Sequence, residues 1–420
     1  MLAAAVAGRG LVASAWRGAA AAGQARLMAA AAGGNYTTPE GVDVVVQNPG
    51  GKHRVIVTKE LPGTTWRETL AKSDCRVEVA QGEHILSRAE LKGLCSGQVD
   101  GVIGQLTEPW DADMFKHLKG VGCKVYSNYA VGFNNVEVPG ASAVGIPVGN
   151  TPGVLTETTA ELAAALTLAA ARRVVEADRF MRDGKFHGWL PNMFVGSLLQ
   201  NKTVGIVGAG RIGAAYARMM IEGHKMNCVY YDMVQNTKLE GYVKAYSAFL
   251  ESQGEKGVTI QRAEAPEGVF AQADVVSMHC ALDNKSKNLV NAALLSKMKK
   301  DAVFVNTARG PVHNEKDLVA HLRANPDFRV GLDVFEHEPD MEPGLAECEN
   351  AVIVPHIASA SMWTRGGMAS LAAANIRGVL EGFPIWNDPH IEPFLESSTL
   401  PDACPSIVNG RELKMKHMGA

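Results

Sequence analysis

The chain has 420 residues, which is more than one hydrophobic core usually covers, so two domains are expected. Hydrophobic residues make up 46% of the sequence and charged residues 20%, a balance typical of soluble globular proteins. The formal net charge of −3 and the scattered lysines and arginines argue against a nucleic-acid partner, and no continuous apolar run is long enough to predict a membrane span.

The first 34 residues differ in composition from the rest of the chain. They are rich in alanine and glycine, include Arg9, Arg17 and Arg26, and contain no acidic residue. This composition is typical of an organelle transit peptide, so we exclude residues 1–34 from the fold. Serine is scarce in the segment, which favours a mitochondrial destination, with the chloroplast as the alternative.

The seven cysteines are widely spaced and form no CxxC pair. In a chain of this length they predict reduced, mostly buried thiols rather than a disulfide framework. Histidine and cysteine do not occur together at zinc-site spacing, so we expect no metal.

Short apolar runs alternate with helical patterns from Arg54 to Val148, which predicts an α/β domain. These runs are Val55–Thr58, Arg76–Val79, Gly101–Ile103, Lys124–Ser127 and Ile146–Gly149. The segment Thr156–Met181 follows, dense in Ala, Leu and Glu and free of Gly and Pro. It predicts one long helix that links this domain to a second one.

The second domain begins with the apolar run Thr203–Val207, a glycine turn and a helical segment at Ala214–Met220. Because its runs are apolar throughout rather than alternating, they predict a doubly wound parallel sheet buried on both faces. A last helix is expected at Thr364–Leu380. The further runs of this domain are Asn227–Tyr231, Asp274–Met278, Ala302–Asn306, Val330–Asp333 and Val352–Pro355.

The turn after Thr203–Val207 carries the pattern GxGxxG between a strand and a helix. In that context the glycines permit a tight turn and a close approach of backbone to a pyrophosphate, which the helix N-terminus attracts. Asp232 ends the next run, where an acid binds the adenosine ribose hydroxyls, so the motif favours NADH over NADPH. The candidate cofactor-binding residues of the turn are Gly208, Ala209, Gly210, Arg211, Ile212 and Gly213.

Three further apolar runs deliver Arg309, Glu338 and His356 shortly after their carboxyl ends. Ligands of open α/β sheets bind at that edge, so we expect these side chains to converge. A guanidinium binds a substrate carboxylate through paired donors, and an imidazole can transfer a proton near neutral pH. A carboxylate beside the imidazole would favour its protonated form, ready to protonate a ketone oxygen as hydride arrives. The set predicts reduction of a keto acid.

At this point the chain resembles the D-isomer-specific 2-hydroxyacid dehydrogenases, and among them the hydroxypyruvate-reducing enzymes of plant type. The resemblance extends from about Pro49 to Asn409. Its most specific motifs are Gly101–Glu108, Val148–Ala163 and Pro355–Ser361. Relatives of this kind commonly end in Ser-Lys-Leu, whereas this chain ends in Met418-Gly419-Ala420, so a peroxisomal destination is less expected.

The resemblance implies a fold of two doubly wound domains. Residues 35–150 and 357–420 would form a discontinuous, flavodoxin-like substrate domain, and residues 151–356 a Rossmann NAD-binding domain. It also implies a homodimer with the long helix and the loop around Trp189 in its interface, and a cleft that closes on the substrate.

The resemblance further assigns roles to individual residues. Arg309 would orient the keto acid, Glu338 would partner the imidazole, and His356 would donate the proton. Thr307, Ala308 and Asp333 would join the cofactor site, with Asp333 near the nicotinamide end. The substrate-binding residues besides Arg309 would be Gln105, Leu106, Val131, Gly132 and Asn134.

The expected activity is NADH-dependent reduction of hydroxypyruvate to D-glycerate, as in photorespiration, with glyoxylate reduction as a side activity. Glyoxylate reductase and phosphoglycerate dehydrogenase are the alternatives among enzymes. An NAD-sensing, corepressor-like protein without activity is the alternative of a different class, and the intact Arg309, Glu338 and His356 set argues against it.

Overall fold

The computed structural model describes residues 34–395 and 400–419. The predicted transit peptide lies, apart from Gly34, outside the described residues. Two compact units divide the chain: the described residues up to Val154 together with those from Met362 onward form one, and Leu155–Ser361 form the other. The sequence placed these boundaries at 150/151 and 356/357.

Strands and helices are numbered here in chain order. The strands of the described residues are β1 (Tyr36–Thr37), β2 (Asp43–Gln47), β3 (His53–Val57), β4 (Cys75–Ala80), β5 (Gly101–Gly104), β6 (Val125–Asn128), β7 (Val148–Gly149), β8 (Thr203–Val207), β9 (Asn227–Tyr231), β10 (Ile260–Arg262), β11 (Val275–Met278), β12 (Val303–Asn306), β13 (Arg329–Leu332) and β14 (Ala351–Ile353). The α-helices of the described residues are α1 (Thr65–Lys72), α2 (Arg88–Leu94), α3 (Ala112–Gly120), α4 (Val138–Ala143), α5 (Thr156–Ala171), α6 (Val174–Arg182), α7 (Arg211–His224), α8 (Thr237–Ser252), α9 (Pro266–Gln272), α10 (Ala292–Leu295), α11 (Glu315–Ala324) and α12 (Met362–Leu380).

The unit 155–361 contains a parallel sheet with the strand order β10-β9-β8-β11-β12-β13-β14. This is the Rossmann order with one further strand, in which the direction of winding reverses beside β8. Alternate residues of one strand pack into different cores: Val303 and Val305 of β12 join one hydrophobic cluster, and Phe304 joins another. The sheet is therefore buried on both faces, as its continuous apolar runs predicted.

In the other unit the sheet order is β1-β2-β4-β3-β5-β6-β7. Strands β4, β3, β5, β6 and β7 run parallel in the flavodoxin-like order, and β2 and β1 extend the edge in antiparallel fashion. Trp110, Phe115 and Tyr126 are fully buried in its core and are in ring contact. The predicted fold class of two doubly wound α/β domains is confirmed, although β1, β2 and β10 were not predicted.

The prediction of one helix over Thr156–Met181 was wrong. The structure breaks it into α5 and α6 at Arg173, whose φ of +57° lies in the left-handed region. The segment after α6 returns to the end of α5, where Ser197 N–H donates to the carbonyl of Ala171 at 2.9 Å. A long-range hydrogen bond thus replaces the continuation that local helix propensity favours.

Within the described residues, no helix is both long and apolar enough to span a bilayer.

Candidate active site

The candidate residues of the unit 155–361 follow strands β8, β9, β12, β13 and β14. These strands are parallel, so their carboxyl ends share one edge of the sheet. Gly208–Gly213 follows β8, Asp232 follows β9, and Thr307–Arg309 follows β12. Asp333 and Glu338 follow β13, and His356 follows β14. The topology therefore assembles these predicted positions at the edge where open α/β sheets bind ligands.

The glycine turn has the geometry that a dinucleotide needs. Gly208 has a φ of +95°, and a Cβ there would lie 2.5 Å from the backbone nitrogen of Cys280. A Cβ on Gly213 would lie 2.1 Å from the carbonyl oxygen of Gly208, whereas one on Gly210 would meet nothing within 4 Å among the described residues. Gly208 and Gly213 thus lie so close to neighbouring backbone that no side chain fits there, whereas Gly210 leaves open space beside the turn.

Helix α7 begins directly after this space. Its N-cap is Gly210, and no side chain of the described residues caps it. The first N–H groups of a 14-residue helix therefore face the open side of the turn, where a pyrophosphate would accept their hydrogen bonds. The residues present fit a dinucleotide cofactor.

Asp232 stands half-buried at the end of β9. Its Oδ1 accepts a hydrogen bond from Val234 N–H at 3.1 Å, which fixes the side chain beside the turn. Arg262 donates to the carbonyl oxygens of Asp232 and Met233 at 2.8 and 3.2 Å. Asn236 ties this loop to the glycine turn, because its Nδ2 donates to the carbonyl of Ala209 at 2.8 Å.

His356 and Glu338 form a hydrogen-bonded pair. Nδ1–H of His356 donates to Oε2 of Glu338 at 2.9 Å, and both side chains are partly exposed. The other oxygen of Glu338 accepts from Phe335 N–H at 3.0 Å. Burial raises the pKa of Glu338, but the hydrogen bond and charge of His356, with Phe335 N–H and Arg309, outweigh it and lower that pKa below its ordinary value. The carboxylate is therefore ionised and accepts the hydrogen bond from Nδ1–H of His356.

Arg309 follows Thr307 and Ala308 in the turn after β12. Its guanidinium donates to the Ala308 carbonyl at 2.6 Å, and the negative charge of Glu338 favours the protonated guanidinium. Burial lowers the pKa of Arg309, yet a guanidinium stays protonated under any physiological condition. The half-buried cation is thus suited to a carboxylate ligand.

Asn306 shapes this turn. Its Oδ1 accepts from Ala308 N–H at 2.9 Å, and its Nδ2 donates to the Arg309 carbonyl at 2.9 Å and lies 3.0 Å from Nδ1 of His313. Oγ1 of Thr307 is buried without a partner among the described residues. A buried hydroxyl without a partner is consistent with a cofactor-binding position.

Asp333, which we expected near the nicotinamide end of the cofactor, is fully buried. Its two oxygens accept from the N–H groups of Ile357 and Ala358 at 2.6 and 3.0 Å, and its carbonyl accepts from His356 N–H at 3.0 Å. His356 has a φ of +52°, a left-handed conformation that costs a residue with a side chain roughly 1–2 kcal/mol. The Asp333 contacts stabilise that turn, so Asp333 anchors the histidine.

The predicted substrate-binding residues other than Arg309 belong to the other unit, after β5 and β6. Asn135 joins their two loops, because its Nδ2 donates to the carbonyls of Gln105 and Glu108 at 3.0 and 3.1 Å. Asn128 donates to the carbonyl of Gly132 at 3.0 Å and is paired with Asn135. Gln105 and Leu106 are thereby held beside the loop of Val131, Gly132 and Asn134.

Sequence reasoning missed the residues that hold these loops. Asn128 and Asn306 each end a buried strand, and a polar residue in that position was a usable signal. Glu315 has the pattern of an ordinary first-turn acid of a helix, and its contacts depend on a loop more than twenty residues later. Only the fold reveals such partners.

This arrangement can bind a dinucleotide at the glycine turn, hold a carboxylate at Arg309 and donate a proton from His356. Fold and site together define a nicotinamide-dependent oxidoreductase that acts on a small hydroxy or keto acid.

Comparison with known proteins agrees with that class. Residues 164–358 match the family model described as D-isomer specific 2-hydroxyacid dehydrogenase, NAD binding domain. The chain is 57% identical over 375 residues to "Glycerate dehydrogenase" of Cucumis sativus. The aligned region covers 89% of this chain and 98% of that relative. It is 56% identical over 375 residues to "Glycerate dehydrogenase HPR, peroxisomal" of Arabidopsis thaliana, covering 89% and 97%.

A solved structure shows the same fold. The TT0316 protein of Thermus thermophilus superposes with a TM-score of 0.70 at 35% identity, covering 84% of this chain and 99% of the other. The protein belongs to the D-isomer specific 2-hydroxyacid dehydrogenase family.

Proposed function

We propose that the protein reduces hydroxypyruvate to D-glycerate with NADH, as in photorespiration, and reduces glyoxylate to glycolate as a weaker side activity. The hydrogen bond between His356 and Glu338 is the observation that carries this proposal, because it holds the imidazole that would protonate a ketone oxygen. The names of the plant relatives, glycerate dehydrogenases, support hydroxypyruvate as the substrate.

In the proposed reaction Arg309 binds the substrate carboxylate through paired donors and orients the keto group. When bound, the reduced nicotinamide supplies the hydride that the keto carbon accepts. His356 donates the proton from Nε2 to the carbonyl oxygen, which would otherwise become an alkoxide. Glu338 holds Nδ1–H and stabilises the imidazolium before transfer, so the neutral imidazole remains hydrogen-bonded afterwards. Gln105, Leu106, Val131, Gly132 and Asn134 remain the predicted substrate-binding residues of the other unit.

The preference for NADH over NADPH is part of the proposal and rests on Asp232. Its carboxylate is fixed at the end of β9, where it can accept hydrogen bonds from ribose hydroxyls. A 2′-phosphate at that position would meet a like charge. Arg262 binds two backbone carbonyls of the same loop and is therefore engaged with the protein itself.

A homodimer is also proposed. Large apolar side chains are exposed along residues 174–198, and Trp189 has 79% of its surface accessible. Such a run of exposed apolar residues is typical of a surface that another protein covers. We therefore assign this segment to the subunit interface. The exposed side chains are Val174, Val175, Met181, Phe186, Trp189, Leu190, Val195 and Leu198.

For the location in the cell we propose the mitochondrion, with the chloroplast as the alternative. The alanine-rich, arginine-containing residues 1–34 support this proposal by composition. A fusion of residues 1–34 to a fluorescent protein, imaged beside organelle markers, tests it. Diffuse fluorescence or peroxisomal import of that fusion would contradict the assignment.

The proposed function is tested by steady-state kinetics of the purified protein with hydroxypyruvate, glyoxylate and pyruvate, each with NADH and NADPH. We expect the highest kcat/KM for hydroxypyruvate with NADH. A higher kcat/KM for glyoxylate would favour glyoxylate reductase, and oxidation of 3-phosphoglycerate with NAD would favour phosphoglycerate dehydrogenase. Binding of NADH without turnover of any 2-keto acid would favour an NAD-sensing protein.

A further inference from the structure

Glu315 is a buried carboxylate that the proposed chemistry does not use. It is the first residue of α11 and only 2% of its surface is exposed. Burial raises its pKa, while hydrogen bonds from the N–H groups of Glu336 and Glu342 oppose that rise. Burying a carboxylate removes its hydration, which is unfavourable unless hydrogen bonds from the protein replace the lost contacts with water.

Those partners belong to the loop that carries Glu338. Oε1 of Glu315 accepts from Glu336 N–H at 2.7 Å, and Oε2 accepts from Glu342 N–H at 2.7 Å. The contact is reciprocal, because Glu315 N–H donates to Oε2 of Glu336 at 3.2 Å. The two accepting oxygens thus bind the loop on both sides of Glu338.

The neighbouring groups give Glu315 little cationic support. Nε2 of His313 lies 3.9 Å from Oε1, but burial lowers the pKa of His313 to about 4, so this imidazole is neutral near pH 7. The charges of Glu336 and Glu342 raise the pKa of Glu315 further. Backbone N–H groups are therefore what binds the carboxylate.

The loop that Glu315 binds is connected to His356, the proposed proton donor, through two hydrogen bonds of Glu338. Phe335 N–H donates to Oε1 of Glu338, whose Oε2 accepts from His356. Gly310, beside Arg309, packs against the same peptide: a Cβ there would lie 1.7 Å from the Phe335 carbonyl oxygen. A displacement of the peptides at 335–336 would therefore move the acceptor of the His356 hydrogen bond.

We propose that Glu315 is a positioning residue that fixes Glu338 against His356 by holding residues 336 and 342. This rests on the proposed function, in which His356 protonates a keto acid. Glu315 touches neither substrate nor cofactor in this scheme and acts through the loop. Its removal should lower kcat more than it changes the binding of NADH or substrate.

The test compares Glu315→Gln with Asp317→Asn. Both exchange a carboxylate for an amide in the first turn of α11. Asp317 also accepts a backbone N–H, that of Ala292 at 2.8 Å, but this contact leads away from the Glu338 loop. In Glu315→Gln one oxygen becomes an NH₂ group that faces an N–H donor, so one of the two loop contacts is lost.

For Glu315→Gln we expect kcat with hydroxypyruvate and NADH to fall about 10- to 100-fold, while KM and the Kd of NADH change less than about threefold. Its alkaline limb of kcat/KM should move to lower pH by about half a unit or more, since a displaced Glu338 favours the protonated imidazole less. Asp317→Asn should keep the kcat and the pH profile of the unmodified protein.

Unchanged kcat and pH profile in folded Glu315→Gln would overturn the proposal, as would an equal loss in both variants. If Glu315→Gln does not fold, Glu315→Asp serves instead: a retained carboxylate on a shorter stem should lower kcat with the same shift of the alkaline limb, and a normal profile would overturn the proposal. If the unmodified protein reduces no 2-keto acid, the proposed function fails before either variant is compared.

Discussion

Nδ1 of His356 lies 2.9 Å from Oε2 of Glu338, although the two residues are 18 positions apart and follow different strands. Each partner is also held by its own backbone environment. Phe335 N–H fixes the carboxylate, and Asp333 accepts the two N–H groups that follow the histidine. The fold itself therefore positions the pair, which is the property that proton transfer requires.

The first prediction concerns this pair. His356→Asn should lower kcat for hydroxypyruvate about 10²- to 10⁴-fold, because it removes the proton donor. Glu338→Gln keeps the shape but removes the ionised acceptor, so kcat should also fall, by about 10- to 10³-fold. Stopped-flow fluorescence should show NADH binding retained in both variants. Turnover at the unmodified rate in His356→Asn would remove His356 from the mechanism.

A second prediction addresses the cofactor. Asp232→Ser removes the charge that opposes a 2′-phosphate and keeps a hydroxyl for the ribose. We expect the ratio of kcat/KM with NADPH to that with NADH to rise about 10-fold or more, which corresponds to about 1.4 kcal/mol. Both kcat/KM values, with NADPH and with NADH, come from the same steady-state assay. A preference for NADPH in the unmodified protein would contradict the role given to Asp232.

The third prediction concerns pH and stability at Glu108, which is 1% exposed. Burial raises the pKa of Glu108 to about 7, although Gln105 N–H and the Thr58 hydroxyl oppose the rise. Between its ordinary pKa and about pH 7, Glu108 is therefore protonated in the folded protein and ionised in the unfolded chain. The contribution of Glu108 to stability is complete below its ordinary pKa and is lost as pH rises through about 7.

Glu108→Gln should therefore flatten the pH dependence of the free energy of unfolding between about pH 5 and 7, by an amount on the order of 2–3 kcal/mol, and the unfolding temperature should vary less across that range. The amide oxygen can still accept from Gln105 and Thr58. Differential scanning calorimetry across that range measures the effect. Glu83→Gln, at an exposed position of the same unit, is the control and should leave the curve unchanged. Parallel curves for the unmodified protein and Glu108→Gln would contradict the assignment.

The fourth prediction tests the proposed interface. Replacing Trp189 and Leu190 together by aspartate should halve the particle mass measured by light scattering, since charge is costly at a buried interface. Phe249→Asp is the control, because Phe249 on α8 is 57% exposed and lies outside residues 174–198. A monomeric unmodified protein, or a dimer that persists in the double variant, would contradict the interface.

The sequence predicted best where the signal was local and repeated. The apolar runs located β8 and β9 to the residue, and the glycine pattern located the turn between β8 and α7. It predicted least well where distant backbone overrides local preference. The break at Arg173 depends on the return of Ser197 to the end of α5, and no pattern within 156–181 contains that information.

The sequence by itself determined the class of fold, the dinucleotide motif and the identity of the groups at the strand ends, because apolar periodicity and chemically distinctive residues are legible one segment at a time. Tertiary structure alone decided which side chains form hydrogen bonds with the loops that carry the site residues. Asp333 anchors the His356 turn, Asn135 joins two loops and Glu315 binds the Glu338 loop through backbone N–H groups. Hydrogen bonds to the main chain are independent of the partner's side chain, so they leave no pattern in the sequence, and only the folded path of the chain brings donor and acceptor together.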